Sequence, residues 1–471
     1  METTRSGNSR SLVVALAAAA GVVSAPAGAA GFAVAVQSAS ALGNANAGVT
    51  ASAEDASTAW FNPAGMAFLG HSEVAQAVHF DMPNERFRNA GSQPALGQPL
   101  GGEGGNAGQF SVIPPLYAVG RLDDRIAIGL TINFPFGQRT EYDGDWMGRF
   151  QALTSEVRTI SVNPAMSWRI DDRFAVGGGL DVQWMQAKLT NAVNYSAVVA
   201  QGATASGLLT PQQVAALLDP ARPDTIANLS GGAELKGDDL RLGWNAGALY
   251  RLDDRLRIGV QYRSQIRYTL QGTATFSPPT AHNPVAAGVI AAVSRPGGAL
   301  SNSDVAVDLT LPASASAGVW WRPDPDWTLL FDAQWTGWST FSTLRFVRAD
   351  GSLLNQVVYD WQDTWRFAAG VNYGGIGGWL LRAGIAYDQS VIRNDANRDP
   401  RLPDSERLWL TAGARYDWRN DTWFDVALSY VQPKDASLVA HNNGSTAAFG
   451  LLNGDYRSRI AIVSLQVTKR F

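Results

Sequence analysis

Short and long connections alternate along this chain between segments with the periodicity of β-strands. Three short connections, at residues 121–125, 169–173 and 251–255, are nearly identical, and each contains two adjacent aspartates. Aspartate tolerates left-handed backbone angles and hydrogen-bonds its own main chain, so the pairs predict two-residue hairpins rather than a calcium or acid/base site. The long polar connections are residues 81–108, 137–153, 190–237, 277–303, 348–358, 389–406 and 432–455. Tight turns on one side and long loops on the other are typical of an outer-membrane barrel.

The segments between these connections have a period of two. In residues 125–134, Ile126, Ile128 and Leu130 fall on one face, and Ala127 and Gly129 fall on the other. A soluble β-sandwich would show the same alternation, so the connections decide between the two. About fourteen strands are expected, the first at residues 72–80 and the last at 456–471, and an even number leaves both termini in the periplasm. The predicted fold class is an all-β, transmembrane, antiparallel β-barrel in the outer membrane.

Composition excludes several other classes of protein. The chain has 471 residues, a net charge of −4 and no cysteine. Beyond residue 30, no apolar run approaches the roughly 20 residues that a transmembrane helix needs. The charge gives no footprint for nucleic acid, and the absence of cysteine excludes a disulfide scaffold and cysteine-ligated metal. We expect no cofactor and no metal.

The first 70 residues do not follow the strand pattern of the rest of the chain. Arg5 and Arg10, the apolar residues 12–23 and the small residues 27–29 form a predicted signal peptide over residues 1–29. Residues 43–66 are rich in Gly, Ala, Ser and Asn and show neither the period of a helix nor that of a strand. This indicates a compact irregular segment. The predicted organisation is a signal peptide (1–29), a hatch that plugs the lumen (30–70) and a barrel (71–471). The alternative for the hatch is a flexible tail.

Aromatic residues mark the expected membrane interfaces. Seven tryptophans lie near predicted strand ends: Trp146, Trp327, Trp361, Trp379, Trp409, Trp418 and Trp423. Barrels in this membrane carry aromatic belts at both interfaces, whereas a β-propeller would show a sequence repeat, which is not found here. The chain ends on Phe471, the expected contact for the barrel assembly machinery, although Lys469 departs from the usual terminal pattern.

A resemblance to a known family rests on motifs in a fixed order. They begin with residues 42–45, 55–58 and 60–66, the last reading Trp-Phe-Asn-Pro-Ala-Gly-Met. They continue at residues 135–137, 142, 146, 148–149, 163–165, 243–247, 250, 262–264, 365–366, 382–384, 402–404 and 407. The chain resembles the FadL/TodX family of outer-membrane channels for long-chain fatty acids and other hydrophobic compounds, over nearly its whole mature length.

This resemblance implies a mechanism and its partners. Family members are fourteen-stranded barrels in which a ligand lands on extracellular loops, enters an internal pocket and leaves sideways into the outer leaflet. The implied partners are a hydrophobic small molecule and outer-membrane lipid, and we expect a monomer. The implied gating residues of the hatch are Phe32, Asn62, Pro63, Ala64 and Gly65. Purely structural roles are the alternative for them.

Prolines predict where the wall opens. Pro114, Pro115, Pro135 and Pro164 lie on three adjacent predicted strands, and hairpin pairing puts residue 135 opposite about residue 112. Proline cannot donate to a β-ladder, and a backbone polar group that faces lipid without a hydrogen-bond partner costs several kcal/mol. We therefore expect a lateral gap beside Pro135 and Gly137. The alternative is that the strands end there and the prolines lie at the rim.

Two further sets of residues are candidates for ligand binding. Apolar helical stretches in two long loops predict a groove for an alkyl chain, unless they only pack on each other. The groove residues are Leu208, Leu209, Val214, Leu217, Leu218, Val285, Val289, Ile290 and Val293. Arg263 and Arg267 share the predicted lumen face with Arg257 and are candidates for a carboxylate head group. The alternatives are that they pair with lumen acids, or that the pocket takes aromatic hydrocarbons and needs no cation.

The histidines argue against an enzyme. None of His71, His79, His282 and His441 lies beside a serine on the outward face of a predicted strand, which lipid hydrolysis would require. The predicted function is passive uptake of long-chain fatty acids or related hydrophobic compounds. The alternatives are an aromatic hydrocarbon channel of the same family and a general diffusion porin.

Overall fold

The computed structural model describes residues 30–440 and 445–471. The predicted signal peptide and His441 lie outside these residues. Within them, no helix is both long and apolar enough to cross a membrane.

The described strands form one sheet that closes on itself. Twenty-one pieces of strand belong to this sheet, and β1 pairs with β21 from Glu73↔Arg470 to Asn89↔Gly454 to complete the ring. The pieces are β1 Glu73–Asn89, β2 Ser111–Ile113, β3 Leu116–Arg121, β4 Ile126–Asn133, β5 Gly137–Glu141, β6 Thr154–Arg169, β7 Phe174–Asn194, β8 Ser230–Arg251, β9 Leu256–Arg263, β10 Ile266–Ser277, β11 Ser303–Leu311, β12 Ser314–Trp321, β13 Trp327–Thr336, β14 Thr343–Arg348, β15 Leu353–Val358, β16 Thr364–Ile376, β17 Trp379–Asp388, β18 Arg407–Asp417, β19 Thr422–Pro433, β20 Ala436–Ala440 and β21 Leu452–Arg470. Seven barrel strands are interrupted and so contribute two pieces each. The fold is a closed antiparallel barrel of fourteen strands, which confirms the prediction.

The short turns form differently from the prediction. Oδ1 of Asp123 accepts the backbone N–H groups of Arg125 and Ile126, both at 2.7 Å, and Asp171 and Asp253 repeat this arrangement. None of these turn aspartates has a positive φ, so their contribution is the side-chain bond rather than a left-handed backbone. The two donors hold the pKa of Asp123 below its ordinary value. The turn is one residue longer than predicted, so Arg121 pairs with Ala127 and residue 135 falls opposite 113.

Interruptions also change which face a side chain occupies. Between β9 and β10, Ser264 and Gln265 lie outside the ladders, and the inward positions shift from Arg263 to Ile266. Arg267 is therefore exposed on the outer face of the barrel, and its predicted place in the lumen is wrong. The cause is a one-residue irregularity, which moves every following side chain to the other face.

The tryptophans divide between the lumen and the outer surface. Trp327, Trp379 and Trp418 are exposed beside the short turns, as expected of an interfacial belt. Trp146, Trp361, Trp409 and Trp423 are at most 2% exposed, so they do not form part of the belt. Trp361 and Trp409 pack against the N-terminal residues, and Trp146 packs within the loops.

Residues 30–70, called here the N-terminal segment, fill the lumen. They form α1 Ala39–Leu42, α2 Val49–Ser52, α3 Thr58–Phe61 and a 3-10 helix at Pro63–Phe68. Close approach to the wall requires glycine at two places, because a Cβ at Gly259 would overlap the Thr50 carbonyl and one at Gly384 would overlap Asn44. The loop helices are α4 Tyr195–Ala205, α5 Pro211–Leu217, α6 Pro284–Ser294 and α7 Thr446–Phe449, with 3-10 turns at Trp338–Thr340 and Asp395–Asn397.

Candidate functional site

Arginines of the barrel wall hold the N-terminal segment in place. Arg366 donates to the Ala45 carbonyl at 2.8 Å, and Arg257 donates to the Ser52 carbonyl at 2.7 Å. Arg382 forms ion pairs with Glu54 of the segment and with Asp425 of the wall. The segment is thus fixed by directional polar bonds in a lumen whose inward faces are partly charged.

Asn62 connects the segment to β8 of the wall. Its Nδ2 donates to the Thr50 carbonyl at 2.7 Å and to the Ala248 carbonyl of β8 at 3.1 Å. Its Oδ1 accepts the Ala64 N–H at 3.1 Å and so caps the 3-10 helix that begins at Pro63. Gly65 packs against Thr58, where a Cβ would overlap the hydroxyl. These contacts fold the segment on itself, and any role in gating stays a prediction.

Phe32 lies in the middle of an aromatic cluster. The cluster comprises Phe32, Phe136, Trp338, Phe341, Tyr359 and Trp361, and the ring of Phe32 lies 5.0 to 5.9 Å from four of the others. The strands that contribute Trp338 and Trp361 are interrupted there, which allows these bulky side chains to turn into the lumen. The cluster thus packs Phe32 of the N-terminal segment against residues of the wall.

An apolar cavity of about 70 Å³, the upper cavity, lies on the long-loop side of this cluster. Phe32, Phe341 and Trp361 form one part of its lining. The other lining residues are Gln138, Ser155, Val157, Met185, Ala187, Leu189, Leu270, Val307, Leu309, Leu344, Phe346, Tyr359, Arg401 and Leu402. A mostly apolar enclosure with a few convergent polar groups is the usual form of a small-molecule site.

A second cavity of about 140 Å³, the lower cavity, lies on the other side of the cluster. Its lining is mixed: Trp60, Phe61 and Phe136 are apolar, whereas Gln261 and Asp332 are polar. Trp338 and Phe136 of the aromatic cluster border this cavity, and Phe32 borders the upper one. The aromatic cluster therefore lies between the two chambers, with Phe32 on its upper side.

The wall between the second and third barrel strands is interrupted beside these cavities. The ladder between β3 and β4 ends at Leu116↔Ile132. Above it, β2 pairs with β1 and β5 pairs with β6, and the described residues show no ladder between β2 and β5. The two strands meet again at the isolated bridge Gly108↔Thr140. A window without ladder bonds therefore separates residues 113–115 from residues 134–136.

The N-terminal segment supplies the bonds that the window lacks. Val34 donates to the Pro135 carbonyl at 2.9 Å, and Gly137 donates to the Phe32 carbonyl at 2.8 Å. Nε2 of Gln37 donates to the Phe134 carbonyl at 2.9 Å. In the second strand, Ala77 of β1 donates to the Pro115 carbonyl at 3.1 Å. The carbonyls of Pro115, Phe134 and Pro135 thus each accept a hydrogen bond. Two of the three donors, Val34 and Gln37, belong to the N-terminal segment.

Three of the four predicted prolines border this window. Pro114 and Pro115 separate β2 from β3, and Pro135 lies between β4 and β5, next to Gly137. Pro164 does not border the window, because it pairs with Leu130 inside an unbroken ladder between β4 and β6. Its missing donor affects the β7 side instead, where the pairing skips residues 163–164. The prediction for Pro164 is wrong for this reason.

The apolar loop helices mainly contact one another. Val214, Leu217, Val289 and Ile290 are buried in a cluster that joins α4, α5 and α6. Leu209, Leu218, Val285 and Val293 pack against its edge, and Leu208 alone of the nine groove candidates is exposed. An open groove formed by these residues is therefore not present. Sequence reasoning missed α4, although Asn194, whose side chain caps it, was a usable signal.

Arg263 lies on the lumen side, as predicted, at the border of the lower cavity. It forms an ion pair with Asp181, stacks on Trp60 with its guanidinium carbon 3.6 Å from the ring centroid, and donates to the Trp60 carbonyl at 3.0 Å. Its charge is thus compensated within the barrel.

Sequence reasoning missed Arg401, which borders the upper cavity, because nothing in a polar loop shows which arginine folds inward. In the described residues, no group of His, Asp and Glu side chains is arranged to hold a metal ion.

A closed outer-membrane barrel with a filled lumen and an apolar internal chamber defines a class of protein: the plugged channels for hydrophobic compounds. Residues 20–471 match the family model described as outer membrane protein transport protein (OMPP1/FadL/TodX). The chain belongs to this family of outer-membrane transporters of hydrophobic compounds.

Similar proteins agree with this assignment. The chain is 29% identical to the long-chain fatty acid transport protein of Escherichia coli K12, covering 90% of this chain and 92% of that protein. Among solved structures, a FadL homologue of Pseudomonas aeruginosa has a TM-score of 0.81 and 26% identity, covering 94% of this chain and all of the other. The toluene transporter TodX of Pseudomonas putida has a TM-score of 0.62 at 17% identity, covering 92% of this chain and 98% of that chain, and so shares the fold.

Proposed function

We propose that this protein is a channel for passive uptake of long-chain fatty acids and related hydrophobic compounds across the outer membrane. The observation that carries the proposal is the upper cavity, which is lined mostly by apolar side chains and borders the aromatic cluster. Burying an alkyl chain there gains about 0.8 kcal/mol for each CH₂ group removed from water. The ligand is captured among the long loops and passes into this cavity.

The N-terminal segment acts as the hatch, and the barrel begins at about residue 71. When Phe32 leaves the aromatic cluster, the two cavities join. Displacement of residues 32–37 also removes the bonds to Phe134, Pro135 and Gly137, because the same stretch supplies them. The window between the second and third strands then opens to the outer leaflet, and the ligand leaves sideways. Phe32 and Pro135 thereby couple pocket opening to wall opening.

Uptake of aromatic hydrocarbons is the second candidate. It is favoured by the aromatic rings that line the base of the upper cavity, since stacked or edge-to-face rings hold a planar hydrocarbon well. The aliphatic residues of the lining, together with the similarity to the Escherichia coli fatty acid transport protein, support the fatty acid.

A general diffusion porin is the third candidate, and the hatch argues against it. The hatch and the aromatic cluster fill the middle of the lumen, where a porin needs an aqueous channel.

The protein works as a monomer, and Phe471, which is 77% exposed at the end of the last strand, is available to the barrel assembly machinery.

The test is uptake of radiolabelled oleate by cells that lack their own fatty acid channel and express this protein. Folding is checked by heat-modifiable mobility on a gel. We expect uptake above the empty-vector level, and we expect no specific uptake when residues 30–66 are deleted. Labelled toluene is the parallel substrate.

Each outcome separates the candidates. Oleate uptake without toluene uptake supports the fatty acid channel, and the reverse result supports the hydrocarbon channel. A folded protein that transports neither compound would overturn the proposal.

A further inference from the structure

We infer that a row of arginines on the outer surface of the barrel binds the phosphate groups of an anionic lipid of the outer leaflet. This arginine row comprises Arg86 and Arg88 of β1 together with Arg457 and Arg459 of β21. These are the two strands whose pairing closes the barrel. The inference goes beyond the proposed function, because the row faces away from the lumen and from the path of a transported molecule.

Strand alternation turns the arginines outward. On β1, Phe87 lies between Arg86 and Arg88 and is 2% exposed, and on β21, Tyr456 precedes Arg457 and is 1% exposed. The rings of Phe87 and Tyr456 meet inside the barrel, with their centroids 5.3 Å apart. Since successive side chains of a strand point to opposite faces, the whole arginine row is exposed on the outer surface.

Two of these arginines face each other directly across the closing ladder. Arg86 pairs with Arg457. Arg88 lies two residues further toward the long loops, and Arg459 lies two residues toward the short turns. Opposed Cβ atoms of an antiparallel pair are about 5 Å apart, and like charges in this position destabilise the sheet. An anion that binds between them would remove this repulsion.

The protein itself neutralises only part of this charge. Oδ2 of Asp435 lies 3.2 Å from Nε of Arg457, and Oδ1 of Asp455 accepts the Ser437 hydroxyl at 2.8 Å. In the part of the chain that the structure describes, the other three arginines of the row have no carboxylate within 4 Å. Four guanidinium charges against two carboxylates leave a net charge of +2 on this surface.

Another pair of opposed cations on the outer surface has acidic neighbours. Lys188 of β7 pairs with Lys236 of β8, but Nζ of Lys188 lies 2.9 Å from Oε2 of Glu234. Asp238 follows on the same face of β8, two residues beyond Lys236. The two acids balance the two lysines there. The arginine row is not balanced in this way, so it attracts an anion from outside the protein.

The arginine row lies at the outer edge of the apolar surface of the barrel. The outward residues of β21 from Ala461 to Val467 are apolar, and Leu465 is 47% exposed. Between Ala461 and Phe471, a strand tilted by about 40° covers a height of about 25 Å, which is that of the lipid-facing apolar band. The arginines follow directly beyond Ala461, at the level of the lipid headgroups.

Phosphate is the anion that this arrangement fits. A guanidinium presents its N–H donors in a planar fork that binds phosphate in bidentate fashion. Residues two apart on a strand are about 7 Å apart, so the row is about 13 Å long and accommodates two phosphate groups. The ligand is therefore a lipid with phosphate on its headgroup and with acyl chains that lie against the apolar band. Bound there, it bridges β1 and β21 where the barrel closes.

The experiment measures lipid binding to the full chain by native mass spectrometry. The protein is released from phosphatidylcholine nanodiscs that contain either bisphosphorylated lipid A or lipid A from which both phosphates have been removed. We expect the unmodified protein to retain bisphosphorylated lipid A and to bind the dephosphorylated form about tenfold more weakly, because charge-assisted bonds are lost. Arg86→Gln/Arg457→Gln should weaken binding of bisphosphorylated lipid A by a similar factor.

Lys188→Gln/Lys236→Gln is the matched control, because it also removes two opposed cations from the outer surface of the barrel. It should leave binding of bisphosphorylated lipid A unchanged. An equal loss in the two double variants would show that the lipid responds to net charge and not to the arginine row. Equal binding of the two forms of lipid A by the unmodified protein would show that phosphate is not recognised. Either result overturns the inference.

A second measurement compares stability in two membranes. In liposomes of phosphatidylcholine alone, Arg86→Gln/Arg457→Gln should raise the urea midpoint for unfolding, because the like-charged pair is gone. Addition of bisphosphorylated lipid A should raise the midpoint of the unmodified protein more than that of the variant, since a ligand stabilises the state that binds it. A gain of the same size in both proteins would contradict a site at the arginine row. Neither measurement depends on transport, so an absence of oleate uptake would overturn the proposed function alone.

Discussion

Arg263 and Asp181 form a buried ion pair at the lower cavity, with side-chain exposures of 11% and 1%. We predict that Arg263→Gln destabilises the barrel by about 3–5 kcal/mol, because the Asp181 carboxylate is left buried without its partner. The measurement is the urea midpoint for unfolding from liposomes, followed by heat-modifiable mobility.

Arg267→Gln is the control for this prediction. Arg267 is exposed on the outer face and should change stability by less than about 0.5 kcal/mol. Comparable losses in the two variants would show that the ion pair does not stabilise the barrel.

The face of the barrel wall that a side chain occupies was predictable where the strand alternates without interruption. Arg263 lies inward because the alternation of β9 is unbroken, whereas Arg267 follows an irregularity that no composition signal marks. Arg401 is a harder case. Its side chain reaches the cavity because contacts with Gln138, Ser155 and Asn191 hold its loop, and these residues are distant in the sequence. Such contacts form only after the barrel has closed.

At the scale of elements, the stretch at residues 32–37 and the kinked stretch at 134–137 form a short antiparallel pair. Ala33 and Phe136 face each other at a position without mutual hydrogen bonds, flanked by the bonds Val34 to Pro135 and Gly137 to Phe32. The Cα atoms of such pairs are typically about 4.5 Å apart, within the range for a disulfide.

We predict that the double variant Ala33→Cys/Phe136→Cys blocks uptake when oxidised and recovers it when reduced. The chain has no cysteine, so this disulfide forms without competitors. It would hold the N-terminal segment against the wall and keep the window shut. The measurement is oleate uptake with and without dithiothreitol.

The single variants Ala33→Cys and Phe136→Cys are the controls. Their oleate uptake should be the same with and without dithiothreitol. Unchanged uptake with the disulfide formed, as shown by mass spectrometry, would mean that the segment does not move during transport.

The elements were predictable in kind and less so in extent. Period-two alternation and turn chemistry placed the strands, but β1 runs to Asn89 and β7 to Asn194, beyond the predicted ends. The prolines indicated the window because a missing donor has a local cost. Pro164 misled because the structure around it lets the ladder to β4 continue unbroken.

At the scale of the whole molecule, the lumen is filled by directional polar bonds between the N-terminal segment and the wall. We predict that the intact protein conducts ions weakly in a planar bilayer, and that deletion of residues 30–66 produces a steady conductance. The deletion exposes charged inward residues such as Arg366 and Arg382, which attract water and ions once their partners Ala45 and Glu54 are gone.

The control is the same deletion variant with its fold checked by heat-modifiable mobility and its strand content by circular dichroism. Equal conductance with and without the segment would mean that the lumen is closed elsewhere, for example by the loops.

The window has a consequence for how long the channel stays open. If residues 32–37 move away as proposed, the Phe134 and Pro135 carbonyls lose their donors, and one unsatisfied group at about 4 kcal/mol limits the open population to about one in a thousand. In the proposed mechanism, the window therefore recloses when the segment returns. In this mechanism, release is a brief event that an arriving ligand triggers, and the asymmetry of the outer membrane is preserved between events.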